Sequence, residues 1–294
     1  DALITNEGLF ELERLPESLL VVGAGPVGLE MGQAMHRLGV RVTVLDVAGA
    51  LGGLTDPELI ATMRPALGLD MHLRHTLQGI EPVPGGVRVR FHGEHGEERD
   101  EVWQRVLVAT GRAPRLDGLD LGAAGLDPLP PIDPYTGRCG DSAVYFAGDV
   151  THDRMLMHEA AHEGVIAGGN AARHPATSAA ERKTPLGIVF TDPQIATVGS
   201  RGELVGRLDF SAQSRAKVLG RTAGRVEVYA RRDGRLTGAT IVGPEAEHLG
   251  HLMAWAVQAG FDVEQALSMP YYHPVLEEGL RSALEDLARQ LKAG

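Results

Sequence analysis

Gly23-Ala24-Gly25-Pro26-Val27-Gly28 follows an apolar run, Leu19 to Val22, and precedes Leu29, Met31, Ala34, Met35 and Leu38, which recur at helical spacing until Gly39. Three glycines so spaced do three jobs. Gly23 permits a tight turn, Gly25 lets backbone amides approach a pyrophosphate, and Gly28 lets the helix pack closely on the strand it follows. The helix amino end then faces the phosphates. Asp46 ends the next β-branched run, 18 residues after Gly28, where it can accept hydrogen bonds from both hydroxyls of a ribose. A 2′-phosphate would be repelled there and would want arginine, and Val47-Ala48-Gly49-Ala50 offers none. The pattern predicts NAD rather than NADP. The plain alternatives are a glycine turn that binds nothing and an acid that merely ends a strand.

A second group of residues suits proton transfer. His273 precedes Pro274, which biases it to an extended backbone, and Pro274 suits the first turn of a following helix. Glu278 comes five residues after the histidine. An imidazole titrates near neutral pH, and a carboxylate on its other ring nitrogen fixes the tautomer and raises basicity. The alternative is that Glu277 and Glu278 complement a helix dipole and His273 is structural. His158-Glu159-Ala160-Ala161-His162 spells a zinc-hydrolase motif, with Glu181 as a third ligand, but Glu181 falls in an apparent linker. No metal site is therefore expected. The histidine pairs His72/His75, His92/His95 and His248/His251 lack a convergent third ligand and are expected on the surface or in packing.

The elements that must position these groups read as βαβα from Leu19 to Leu73, with helices over 26–38 and 57–67. An antiparallel meander follows near 77–83, 87–92 and 98–103, then a buried strand from Arg105 to Ala109. Residues 112–142 are irregular and rich in Gly, Pro and Asp, a length tolerated mainly where it has a job. A strand is predicted at Val144–Ala147 and a helix at His158–Ala172, and 173–183 reads as a linker. The last 110 or so residues combine strands near 188–190, 226–230 and 236–242 with helices near 245–259 and 276–291, an α+β pattern.

Composition narrows the classes. Of 294 residues 43% are hydrophobic and 23% charged, which suits two or three globular domains. The net charge of −11 argues against nucleic acid as a partner. No apolar stretch is long enough to span a bilayer, and the first 20 residues hold five acids and one Arg, so neither membrane nor secretion is expected. Cys139 is the one cysteine, which excludes an internal disulfide and suits a reducing cytoplasm.

Six passages carry a resemblance over nearly the whole chain: VVGAGPVGLE (21–30), VLVATGRAP (106–114), VYFAGDV (144–150), MLMHEAAHEG (155–164), TDPQIATVG (191–199) and MPYYHPVLEEGL (269–280). In this order they resemble the pyridine nucleotide-disulfide oxidoreductases, nearest to the dihydrolipoamide dehydrogenases. The resemblance implies an α/β chain: a Rossmann-like NAD domain at 16–112, inserted in a partial flavin domain at 113–182 with a remnant at 1–15, then an α+β dimerisation domain at 183–294. It implies that the amino-terminal segment with the first flavin glycines and the C-x-x-x-x-C disulfide is missing, so the isolated chain is expected to lack turnover. By the same resemblance Gly111 approaches NAD, Asp149 bonds the ribityl chain of FAD, and Met155, Leu156, Met157 and His158 lie along the flavin. Glu30 matches a glutamate that pairs with a lysine of the missing segment. His273 and Glu278 form a dyad that deprotonates a lipoyl-type thiol in a homodimer, acting on the partner's disulfide. Tyr271 departs from the histidine common at that position. A non-catalytic NAD-binding redox module is the rival reading. A half flavin domain should also leave apolar surface exposed or abnormally packed at 144–146 and along the next helix.

Overall fold

A computed structural model describes residues 2–293. The chain divides into two compact units, one built from the segments up to Gly111 and from Thr184 onward, the other from Arg112–Lys183.

The first unit begins with β1 (Leu3–Ile4), α1 (Asn6–Phe10), β2 (Ser18–Val22), α2 (Pro26–Arg37), β3 (Arg41–Asp46), α3 (Pro57–Leu67) and β4 (Asp70–Leu73). The meander β5 (His75–Val83), β6 (Gly86–Gly93) and β7 (Glu98–Trp103) leads back to β8 (Arg105–Val108). The sheet order is β1-β8-β2-β3-β4 and every neighbouring pair is parallel. Strand period two sorts the side chains. Leu19 and Val21 of β2, with Val42 and Val44 of β3, join the core that includes Leu29, Leu59 and Met63 of the helices. Leu20 and Leu45 point the other way and pack with Val87, Val89, Phe91 and Trp103 of the meander. Both faces of the parallel sheet are thereby covered, as its continuous apolar runs require. Asp56 caps α3, accepting from the amides of Glu58 and Leu59 at 2.9 and 3.5 Å.

The second unit is mostly turns around α4 (Met157–Ala172). The strand predicted at Val144–Ala147 does not form. Tyr145 makes a single bridge to Arg138, flanked by Cys139 N→Val144 O at 2.9 Å and Phe146 N→Gly137 O at 2.8 Å. The segment facing it is Gly137–Cys139, and Gly137 at φ +74° leaves the extended conformation, so no ladder extends. Val144 to Phe146 are half-buried, while Met157 is 91% and Val165 75% exposed on α4. The predicted linker is not passive either, since the Arg182 side chain is nearly buried between two acids of α4.

The first unit resumes with β9 (Leu186–Val189), β10 (Gln194–Gly199), β11 (Leu204–Asp209), α5 (Ser214–Leu219), β12 (Arg225–Ala230), β13 (Leu236–Gly243), α6 (Ala246–Gln258), α7 (Val263–Leu267) and α8 (Glu278–Ala293). An antiparallel sheet, β11-β12-β13-β10-β9, packs Val226, Val228, Ala239 and Ile241 against Leu249, Met253, Leu280, Leu284 and Leu287 of α6 and α8. Val189, Ile195 and Val242 reach into the same core as β2 and α2, so the two halves of this unit share apolar surface.

Candidate functional site

Three strand ends meet at the glycine turn: Val22 is in register with Leu45 of β3 and with Val108 of β8. Gly23 donates to the Leu45 carbonyl at 2.8 Å and has φ +116°, and a Cβ there would fall 2.3 Å from the Ala109 carbonyl. At Gly28 a Cβ would meet the Gly23 carbonyl at 1.9 Å, whereas a Cβ on Gly25 would have nothing within 4 Å. Two glycines thus let backbones touch, and the third faces open space. Pro26 opens α2, whose amino end has no side-chain cap, so its first amides remain available to an anion. The cradle fits a diphosphate. Gly111, at φ +111°, also has open space around it, two residues past the Ala109 that abuts Gly23.

Asp46 does more than end a strand. Its Oδ2 accepts from Ala24 N at 2.6 Å and its Oδ1 from Ala48 N at 2.6 Å, so it fastens the glycine turn to the loop after β3. Each carboxylate oxygen keeps a further lone pair for a hydroxyl. Glu30, one turn into α2, accepts from Phe190 N at 2.9 Å and ties α2 to the end of β9.

His273 Nδ1 lies 2.9 and 3.1 Å from the two oxygens of Glu278. The side chain of His273 is 72% exposed and that of Glu278 26% exposed. The hydrogen bond from His273, helped by the Val275 amide at 3.1 Å, holds the Glu278 carboxyl below its usual range. Glu278 opens α8, where a carboxylate complements the dipole. Pro274 lies four residues ahead of that helix rather than in its first turn. Gln213 fixes the intervening turn by donating to the Val275 carbonyl at 2.6 Å, while its Oε1 accepts from Ala216 N at 2.6 Å. Nothing in the sequence marks this glutamine, because its partner is 62 residues away. Tyr271 donates to the Ala266 carbonyl at 3.2 Å, and burial pushes its phenol up.

In the second unit Gly148, at φ +84°, leads into a short 3₁₀ turn, Asp149–Thr151, with Asp149 exposed. Met155, Leu156, Met157 and His158 form an exposed surface at the uncapped start of α4. Glu163 holds the 148–151 turn, accepting from Gly148 N at 2.8 Å and Thr151 Oγ1 at 3.2 Å. Arg182 bridges Glu163 and Glu159 at 2.9 and 3.1 Å, and Arg154 reaches Glu159 at 3.0 Å. Burial alone would raise Glu159, but the two arginines overcome it and hold its carboxyl below the ordinary range. The glutamate of the His158–His162 motif is therefore an anchor for guanidinium groups, and Glu181 is exposed. Among the described residues only Glu245, Glu247 and His248 converge within metal-ligand reach, and Arg221 already holds Glu245 at 3.0 Å.

Residues 2–164 match the family model described as pyridine nucleotide-disulphide oxidoreductase, and residues 186–284 match its dimerisation domain. The chain is 34% identical over 304 residues to a dihydrolipoyl dehydrogenase of Haloferax volcanii, covering 97% of this chain and 63% of the relative. It is 36% identical over 299 residues to one of Thermus scotoductus, covering 95% and 63%. Among solved structures, LpdA from Mycobacterium tuberculosis superposes with a TM-score of 0.81 at 26% identity, covering 97% of this chain and 64% of that one. The HOCl-induced flavoprotein disulfide reductase RclA from Escherichia coli, at 22% identity and TM-score 0.81, shares the fold. The chain spans about 63% of the length of the curated relatives it matches. With both domain models matched in order and the glycine turn built as their nucleotide fold demands, the chain belongs to the pyridine nucleotide-disulphide oxidoreductase family.

Proposed function

We propose that this chain is the coenzyme-binding and interface part of a dihydrolipoamide dehydrogenase-like flavoprotein that passes electrons from a lipoyl-type dithiol to NAD. The observation that carries the reading is the glycine cradle, where Gly23 and Gly28 permit contacts no Cβ would allow and Gly25 faces open space. The α2 amino end would hold the diphosphate of NAD and Asp46 its adenosine ribose, with Gly111 lining the same site. Asp149 and the backbone of Met155–His158 would hold the flavin of FAD, where the uncapped start of α4 favours negative charge. When bound, the nicotinamide supplies a hydride acceptor and the flavin a two-electron relay. Glu30 steadies α2 through its bond from Phe190 N.

Glu278 fixes His273 with Nδ1 toward the carboxylate and leaves Nε2 to take the proton of a substrate thiol. The exposure of the imidazole, 72%, is consistent with a base that completes its site in a homodimer through the carboxy-terminal domain. The 294-residue chain has one cysteine, Cys139, which is buried and whose thiol is pushed up by burial. It is therefore expected to bind coenzyme and self-associate without disulfide reductase turnover.

Calorimetry with NADH, together with a lipoamide assay on the purified chain, tests this. Binding without turnover is expected. No NADH binding would remove the coenzyme reading, and robust turnover free of full-length enzyme would refute the inactive state.

A further inference from the structure

The sequence offers no arginine in the loop after Asp46, yet the fold brings one there. Asp46 of β3 is in register with Leu73 of β4, so Arg74 emerges beside Asp46 at the carboxyl edge of the sheet, where open α/β sheets receive their ligands. Its backbone N–H donates to the Ala48 carbonyl at 3.1 Å, and it holds φ +58°, a left-handed conformation uncommon outside glycine. The side chain runs along the 47–50 loop: a Cβ on Gly49 would lie 2.6 Å from its Nε and 3.1 Å from its Nη2. The side chain is 61% exposed, and its guanidinium pairs with Glu94, loosely, at 3.5 Å. Asp46, the acid that should repel a 2′-phosphate, has both oxygens engaged by backbone amides.

We propose that Arg74 is a specificity-determining residue for the coenzyme: it pairs with the 2′-phosphate of a phosphorylated dinucleotide and narrows the preference for NAD that Asp46 would otherwise impose. This rests on the coenzyme reading given above. A guanidinium matches a phosphate with two parallel donors, and the Arg74 side chain lies against Gly49, where a Cβ would force it to shift. Glu94 competes for the same cation. NAD(H) lacks the group that Arg74 grips, so its binding is independent of this residue.

Titrating the full chain with NADH and NADPH by calorimetry separates the possibilities. Arg74→Gln is expected to raise the ratio of the NADPH to the NADH dissociation constant at least about fivefold, through weaker NADPH alone. Arg74→Lys should retain part of the effect, and Glu94→Gln should lower the ratio. The increment should shrink at high salt, as a surface charge contact does. A ratio that moves less than fivefold in Arg74→Gln while NADH still binds overturns the assignment. Failure of the unaltered chain to bind NADH overturns the coenzyme reading, and this one with it.

Discussion

Gly25 and Gly28 differ in a way that separates binding from folding. A methyl at Gly28 would sit 1.9 Å from a backbone oxygen, so the turn must move, and overpacking of this kind typically costs about 1–3 kcal/mol. A methyl at Gly25 meets nothing in the protein. Gly28→Ala should therefore lower the melting temperature and weaken NADH together. Gly25→Ala should melt within a degree or two of the unaltered chain yet lose at least about tenfold in NADH affinity, a loss of ~1.4 kcal/mol. Calorimetry of both variants checks this, and Gly25→Ala binding NADH normally would mean that the diphosphate lies elsewhere. Asp46 belongs to the same scale, since one carboxylate pins two loops and still offers lone pairs outward.

At the level of elements, α4 is tied to the turn before it by ions rather than by apolar packing alone. Glu159 and Glu163 are 2% and 5% exposed, and both bind Arg182. Removing one partner of a buried pair leaves the others uncompensated, so Glu163→Ala should destabilise the Arg112–Lys183 unit by about 3 kcal/mol. It should also release the Gly148 amide to fast hydrogen exchange. Glu181→Ala, at an exposed position, should change stability by less than about 0.5 kcal/mol. Equal effects of the two substitutions would contradict the anchoring role of α4.

Across the whole molecule the depressed carboxylates set the acid limit. Asp192 is raised by burial but lowered further by Arg221 at 2.9 Å and Arg37 at 2.7 Å, which join α2 and the loop after α5 to the β9–β10 turn. Asp56 is likewise raised by burial and brought down by its capping amides and Arg201, and Glu159 and Glu278 are also held low. Each folded-state value lies below the ordinary 3.8 of Asp or 4.5 of Glu. Such groups contribute stability that is fully present above those values and lost as pH falls through the depressed ones. Denaturant midpoints should stay level from about pH 7 to about pH 5 and decline below about pH 4.5. A midpoint that rises on acidification would reverse the sign and disprove the assignment. Among the described residues no helix is long and apolar enough to cross a membrane.

Local sequence determined the glycine turn, the period-two strands on both faces of the parallel sheet, α3 with its Asp56 cap, and the pairing of His273 with Glu278, because each depends on residues a few positions apart. The second strand sheet was only partly legible: β10 and β11 were missed, since short strands with Gly and polar residues carry little periodicity. Val144–Ala147 read as a strand, yet a strand needs an extended partner, and the facing segment turns out of that conformation at Gly137. What only the tertiary structure decided are the contacts that join distant segments: Gln213 to Val275, Glu30 to Phe190, Arg182 to the acids of α4, and Arg74 to the loop after Asp46. Hydrogen bonds and ion pairs act over a few ångströms irrespective of separation along the chain, so their partners are chosen by the fold and leave no spacing to read.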